Sequence, residues 1–170
     1  MARQIDLWET EHRNFARLLD ILEAQLALFH QAQEPNYELM LDIMDYMISY
    51  TDQVHHPKED LLFAKVAERD SSIRATVDEL AYQHQEIAIR GKDLHDRLEN
   101  LLGGSVLTRQ SIEKPARAYI DALRKHMDTE FKEIFPALRR ALSPQDWETI
   151  EALAGVARSD PLFGERGNRR

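Results

Sequence analysis

Along the N-terminal stretch Ile5, Trp8, His12, Phe15, Leu19, Leu22, Leu26 and Phe29 recur in an unbroken 3,4 spacing. That is the seam of a helix packed into a bundle, and it leaves little room for another fold class. One member is not apolar: His12 stands where the pattern asks for a hydrophobe. The same intrusion recurs in a second stripe, Ile73, Val77, Leu80, His84, Ile87, Gly91, Leu94, Leu98 and Leu101. A third stripe, Ile112, Ala116, Tyr119, Leu123, His126, Glu130, Ile134 and Leu138, turns both an imidazole and a carboxylate inward. A carboxylate buried without a partner is strongly destabilising or gives up its charge, so these positions need a reason.

Punctuation divides the chain into four long helices. Pro35-Asn36, Asp70-Ser71-Ser72 and Gly103-Gly104-Ser105 separate them. Ser143-Pro144-Gln145-Asp146 reads as a cap opening a short further helix to about Ala154, with Gly155 to end it. Short loops make sequential helices antiparallel neighbours. The expected fold is all-α: an antiparallel up-down-up-down four-helix bundle with a short C-terminal fifth helix. The bundle domain is expected over residues 1–157, with 158–170 as a tail that Leu162 and Phe163 anchor.

The second helix holds adjacent histidines, and its stripe separates them. Leu41, Met44, Ile48, Thr51, His55, Glu59, Leu62 and Val66 form the expected inward face, and Asp45, Ser49, Asp52, His56 and Asp60 the polar one. His55 is therefore preferred over His56, although a kink at Pro57 would rotate His56 inward instead. Met40, Met44 and Met47 read as core filler. His30 and His95 fall off the stripes and are expected to face solvent.

One arrangement now appears twice: His12 followed by His55-xxx-Glu59, and His84 followed by His126-xxx-Glu130. Residues four apart on a helix share a face, so each HxxxE offers a nitrogen and an oxygen to one point. With a rise of about 1.5 Å per residue, all four histidines converge on one level of the bundle. Four imidazoles and two carboxylates, with no thiolate, suit iron, manganese or zinc, and carboxylates set between two ions can bridge them. The expected ligands are His12, His55, Glu59, His84, His126 and Glu130, with the two glutamates bridging. Glu9, which forms an ExxH with His12, is a weaker additional ligand. Tyr50 and Tyr119 lie near the same level and read as bundle aromatics.

Composition narrows the function classes. The 170 residues contain no cysteine, which removes disulfide frameworks, thiolate zinc sites and cysteine-ligated clusters and suits a reducing cytoplasm. A net charge of −8 disfavours nucleic acid or an anionic membrane as partner, the basic ERGNRR terminus reading as a solvated tail. Neither a signal-peptide core nor a membrane span is evident in the sequence.

Taken in order, Glu11-His12, HHPKED from His55 to Asp60, QHQE from Gln83 to Glu86 and HMDTEFKEIFP from His126 to Pro136 resemble the hemerythrin-like, HHE cation-binding family of four-helix bundles. The resemblance covers residues 4 to 142 and implies a non-haem di-iron site. It departs from the oxygen-carrying invertebrate hemerythrins, whose third helix carries HxxxH and whose fourth carries HxxxxD. Here Ala88 replaces the second histidine and the fourth helix has HxxxE, closer to the hemerythrin-like domain of the iron- and oxygen-sensing ubiquitin-ligase adaptor. The expected cofactor is two iron ions, with zinc or manganese as substitutes. The expected ligand is dioxygen, nitric oxide or peroxide, bound for sensing, scavenging or storage. Two other readings stay open: a di-iron enzyme that reduces peroxide or nitric oxide or donates iron for iron–sulfur repair, and a metal-free structural bundle.

Overall fold

In the computed structural model, residues 3–148 and 160–163 are described. They are almost entirely helical, with no strand among the described residues. The first rod is α1 (Arg3–Leu28), closed by a 3-10 turn, Phe29–Gln31. The second is α2 (Tyr37–Tyr46), a π-helical segment Met47–His55, and α3 (His56–Arg69), run together without a break. The third is α4 (Arg74–Leu102). The fourth is α5 (Arg109–Thr129), a second π segment Glu130–Ile134, and α6 (Phe135–Ala141). The rods close into a bundle in which α1 packs on α2 and α5, and α4 packs on the same two.

The rods begin where side chains satisfy free backbone N–H groups. Asn36 accepts from the Leu39 N–H at 3.0 Å and Thr108 accepts from the Ser111 N–H at 3.2 Å. Ser143 and Asp146 cap each other reciprocally, the Asp146 carboxylate accepting from Ser143 N–H at 2.9 Å and the Ser143 hydroxyl accepting from Asp146 N–H at 3.2 Å. The short fifth helix opens there, residues 144–148 being helical, and its buried Trp147 packs on the bundle. The expected end near Ala154 and Gly155 lies outside the described residues.

The apolar interior is in two parts. One holds Phe15, Leu19, Leu22, Leu26, Met40, Met44, Met47, Leu94, Leu98, Tyr119 and Leu123. The other holds Ile5, Trp8, Leu62, Phe63, Val66, Leu80, Phe135, Leu138 and Trp147. Between them lies a layer of histidine and glutamate. Among the described residues no helix is long and apolar enough to cross a membrane.

The second rod departs from its expected phase. Met47 and Tyr50 are buried, as core filler and a bundle aromatic should be, but Ile48 of the expected inward stripe is only half-buried. The reason is the π segment, whose i→i+5 hydrogen bonds put about one more residue into each turn than an α-helix has. The His56 N–H reaches Thr51 O, five residues back, and the next residue, Pro57, has no N–H to give. The fourth rod repeats this: Phe135 N–H reaches Glu130 O, and Pro136 follows.

Candidate metal centre

Each rod delivers its donors to the polar layer. The first brings His12, the third His84, and the fourth His126 and Glu130. The second brings His55, His56 and Glu59, the two neighbouring imidazoles aimed to either side of its inward face. His55 meets His12, Nε2 to Nε2, at 3.0 Å. His56 stacks on His84 with ring centroids 4.1 Å apart and meets His126 edge-on at 5.3 Å. The Nε2 atoms of His84 and His126 are in turn 3.0 Å apart.

The two carboxylates lie between these groups. Glu59 Oε1 is 3.0 Å from His55 Nε2 and 3.4 Å from His12 Nε2, while its Oε2 is 3.7 Å from His84 Nε2. Glu130 Oε1 is 3.1 Å from His126 Nε2 and 3.8 Å from His84, and its Oε2 is 3.4 Å from His12. Both carboxylates thus span the two histidine groups. Donor atoms of His12, His55 and Glu59 all fall within 4.8 Å of one another, as do those of His56, Glu59, His84 and His126.

A cation fits this set better than hydrogen bonding alone does. His55 Nδ1 donates to Glu11 at 2.7 Å, His84 Nδ1 to Asp60 at 2.8 Å and His126 Nδ1 to Gln83 at 3.2 Å. Those bonds commit the Nδ1 protons of His55, His84 and His126 outward and turn their Nε2 atoms to the centre, where each can hold a proton or a metal ion. All four oxygens of Glu59 and Glu130 are buried without a hydrogen-bond partner among the described residues, which is costly for carboxylates in an apolar bundle. Without a metal the charges are held by protons. Burial by itself would depress the His55 imidazole, but Glu59 and Glu11 push it up to about 10. Burial likewise opposes His84, which Asp60 and Glu130 raise to about 9. Burial and the charge of Glu59 raise the Glu130 carboxyl, yet His126 and His84 hold it at about 2. His56 differs: burial, joined by the charges of His84, His126 and His55, depresses it well below the usual imidazole range and leaves it a neutral donor.

The model of the hemerythrin HHE cation binding domain matches residues 3–138. The chain belongs to the hemerythrin HHE cation-binding domain family. No curated protein and no solved structure matches it. The family name implies metal-ion binding, and the buried histidine and glutamate cluster of this hemerythrin-like bundle fits that.

All six residues expected from the sequence stand in the hemerythrin-like centre, His12, His55, Glu59, His84, His126 and Glu130 each being buried. His56 joins them. It is 3 % exposed, so the expectation that it lies on the polar face is corrected: the π segment and Pro57 turn it inward beside His55 without displacing it. Its partner Asp52, also expected on the polar face, approaches His56 Nδ1 at 3.4 Å, and burial pushes its carboxyl up to about 7 against the charge of His84. Glu9 is not brought to the centre; it pairs with Arg139 at 2.9 Å. His30 is exposed and pairs with Glu113, while His95 is half-buried against Asp45 at 2.8 Å. Glu11, Asp60 and Gln83, which hold the imidazoles from outside, are sequence neighbours of His12, Glu59 and His84, and that adjacency is the signal that marks them.

Proposed function

We propose that this hemerythrin-like protein holds a non-haem di-iron centre and binds dioxygen or a related small molecule for sensing, scavenging or storage. The observation that carries the reading is the pair of buried carboxylates, without a hydrogen-bond partner among the described residues, lying between two groups of facing imidazole nitrogens. His12 and His55 would hold one ion, His56, His84 and His126 the other, with Glu59 and Glu130 shared. A bound iron pair would supply one-electron chemistry and a coordination position for the small ligand. With three imidazoles on one side and two on the other, the ion held by His12 and His55 would be the one with room for the small ligand.

Apolar rings of this chain flank those two histidines. Phe15 lies edge-on to His55 at 4.9 Å, and Phe135 stacks on His12 at 5.4 Å. Excluding water this way strengthens each electrostatic contact inside and favours a small apolar ligand over solvent. The charge of −8 and the cysteine-free composition support a cytoplasmic protein that contacts neither nucleic acid nor membrane.

Metal analysis after iron-replete expression, with visible spectra before and after oxygen, tests the reading. The expected result is two irons per chain and an oxo-to-iron charge-transfer band that oxygen brings up. Less than about one ion per chain would sink it. A second reading, reduction of peroxide at the same centre, is favoured by one observation: a buried phenol, Tyr50, is hydrogen-bonded to the carboxylate that holds His55. Stopped-flow absorbance separates the two, since repeated turnover of peroxide favours catalysis and a single stable band favours binding.

A further inference from the structure

Two tyrosines of the second rod make a continuous line from the metal centre to the surface. Tyr50 is 3 % exposed and donates to Glu11 Oε1 at 2.7 Å; the other oxygen of Glu11 receives His55 Nδ1 at 2.7 Å. One helical turn on, Tyr46 stacks on Tyr50 with centroids 5.7 Å apart and planes at 21°. The Tyr46 hydroxyl donates to Asp160 Oδ2 at 2.9 Å, and its ring meets Phe163 edge-on at 6.0 Å. Tyr46 also lines a groove of about 400 Å³ with Leu18, Asp45, Ser49 and Leu162.

A phenol that gives up an electron also gives up its proton, so a tyrosine serves as an electron relay when a base already accepts its O–H. Tyr50 and Tyr46 each have a separate carboxylate in that role. Tyr119 provides the contrast. It is fully buried in the same bundle, yet among the described residues its hydroxyl has no hydrogen-bond partner to take a proton.

We propose that Tyr50 and Tyr46 form a two-step electron relay, through which a neutral phenolic donor at the groove reduces the metal centre when peroxide oxidises it. The inference rests on the di-iron reading and deepens its peroxide alternative. Hydrogen peroxide takes up two electrons and two protons from solvent, matched by the two that the donors release there, and leaves as two waters. Each electron comes from Tyr50, whose proton passes to Glu11. Tyr46 then returns an electron to Tyr50, which recovers its proton from Glu11, while the Tyr46 proton passes to Asp160. The donor phenol gives one electron to Tyr46, Asp160 returns the proton, and the donor releases its own proton to solvent. Two passes serve one peroxide. The groove carries Asp42 and Asp45, which favours a neutral donor over an anionic one.

Iron-loaded full-length protein, its tyrosine rings deuterated or not, is mixed with one equivalent of hydrogen peroxide, freeze-quenched and read by electron paramagnetic resonance, with iron content measured in every variant. The expected result is a tyrosyl signal that deuteration narrows and that added guaiacol removes. Tyr50→Phe abolishes it. Tyr46→Phe and Asp160→Asn confine it to Tyr50 and slow its removal by guaiacol, and Tyr119→Phe leaves it unchanged. These variants keep their rings or shape, and retained iron with native circular dichroism separates a lost relay from a lost fold. Protein that keeps two irons and consumes peroxide without any tyrosyl signal overturns the relay and leaves the di-iron reading standing. A signal that survives in the Tyr46→Phe, Tyr50→Phe double variant also overturns it. Protein that takes up no iron overturns both.

Discussion

The two HxxxE halves of the centre look alike in sequence and are unlike in their surroundings. The His55 half rests on Glu11, itself buried and tied to Tyr50, so its imidazole is held by a charged group inside the bundle. The His126 half rests on the amide of Gln83, and its companion His84 on Asp60, a half-exposed carboxylate. In exchange the His126 half takes a third imidazole, His56, from the rod that supplies His55. Equal spacing has therefore produced one group of three imidazoles and another of two with a buried anion behind it. Two ions bound there would not be equivalent.

The most severe way to break this asymmetry removes what the halves share. Replacing Glu59 and Glu130 together by alanine should abolish metal binding, read as a fall from two ions per chain to none by elemental analysis. Next come the neighbouring histidines. His56→Ala should empty the three-imidazole position and His55→Ala the two-imidazole position, each leaving one ion per chain, with different Mössbauer signatures in the survivors. Identical spectra for the two variants would mean the halves are equivalent after all.

Acid sharpens the contrast less drastically. His55, raised to about 10, and His84, raised to about 9, are protonated in metal-free protein at neutral pH and must lose those protons when metal arrives. Affinity should thus rise with pH through neutrality and level off above about 9 to 10, changing roughly tenfold per unit for each proton displaced. Proton release on iron addition in weakly buffered solution checks the sign; uptake of protons would contradict it. The smallest effects should come from the outer partners. Glu11→Gln should weaken the His55 position by about 10- to 100-fold, and Gln83→Ala should weaken the His126 position by less, since an amide contributes no charge. Isothermal titration of the two variants with the same metal ranks them.

The stripes of the first, third and fourth rods were legible in the sequence because those rods stay in α-helical phase up to the centre. His12, His84, His126 and Glu130 stand where a 3,4 count puts them. The stripe of the second rod was legible only in part. It placed Met44, Thr51, His55 and Glu59 correctly, but a constant 3.6-residue period cannot follow a π segment, so it took in the half-buried Ile48 and put His56 outside. Pro57 was the one local sign of the change in phase, and it argued for a choice between the two histidines where the fold uses both. The outer partners escaped for another reason: Glu11, Asp60 and Gln83 sit at ordinary polar positions, and only the packing of separate rods shows which imidazole each meets.

The π segment Met47–His55 also means that part of the ligand set is written in chain length and not in residue identity. A π turn holds about one residue more than an α turn, so losing one residue there would let the helix rewind with the flanking residues near their original faces. What would go is the extra residue in the turn that lets His55 and His56 share the inward side, though neither need be replaced. For this bundle a one-residue deletion in an inconspicuous turn would act as a substitution at the centre. The number of ligands can change in descendants of such a chain by insertion and deletion alone, with every histidine retained.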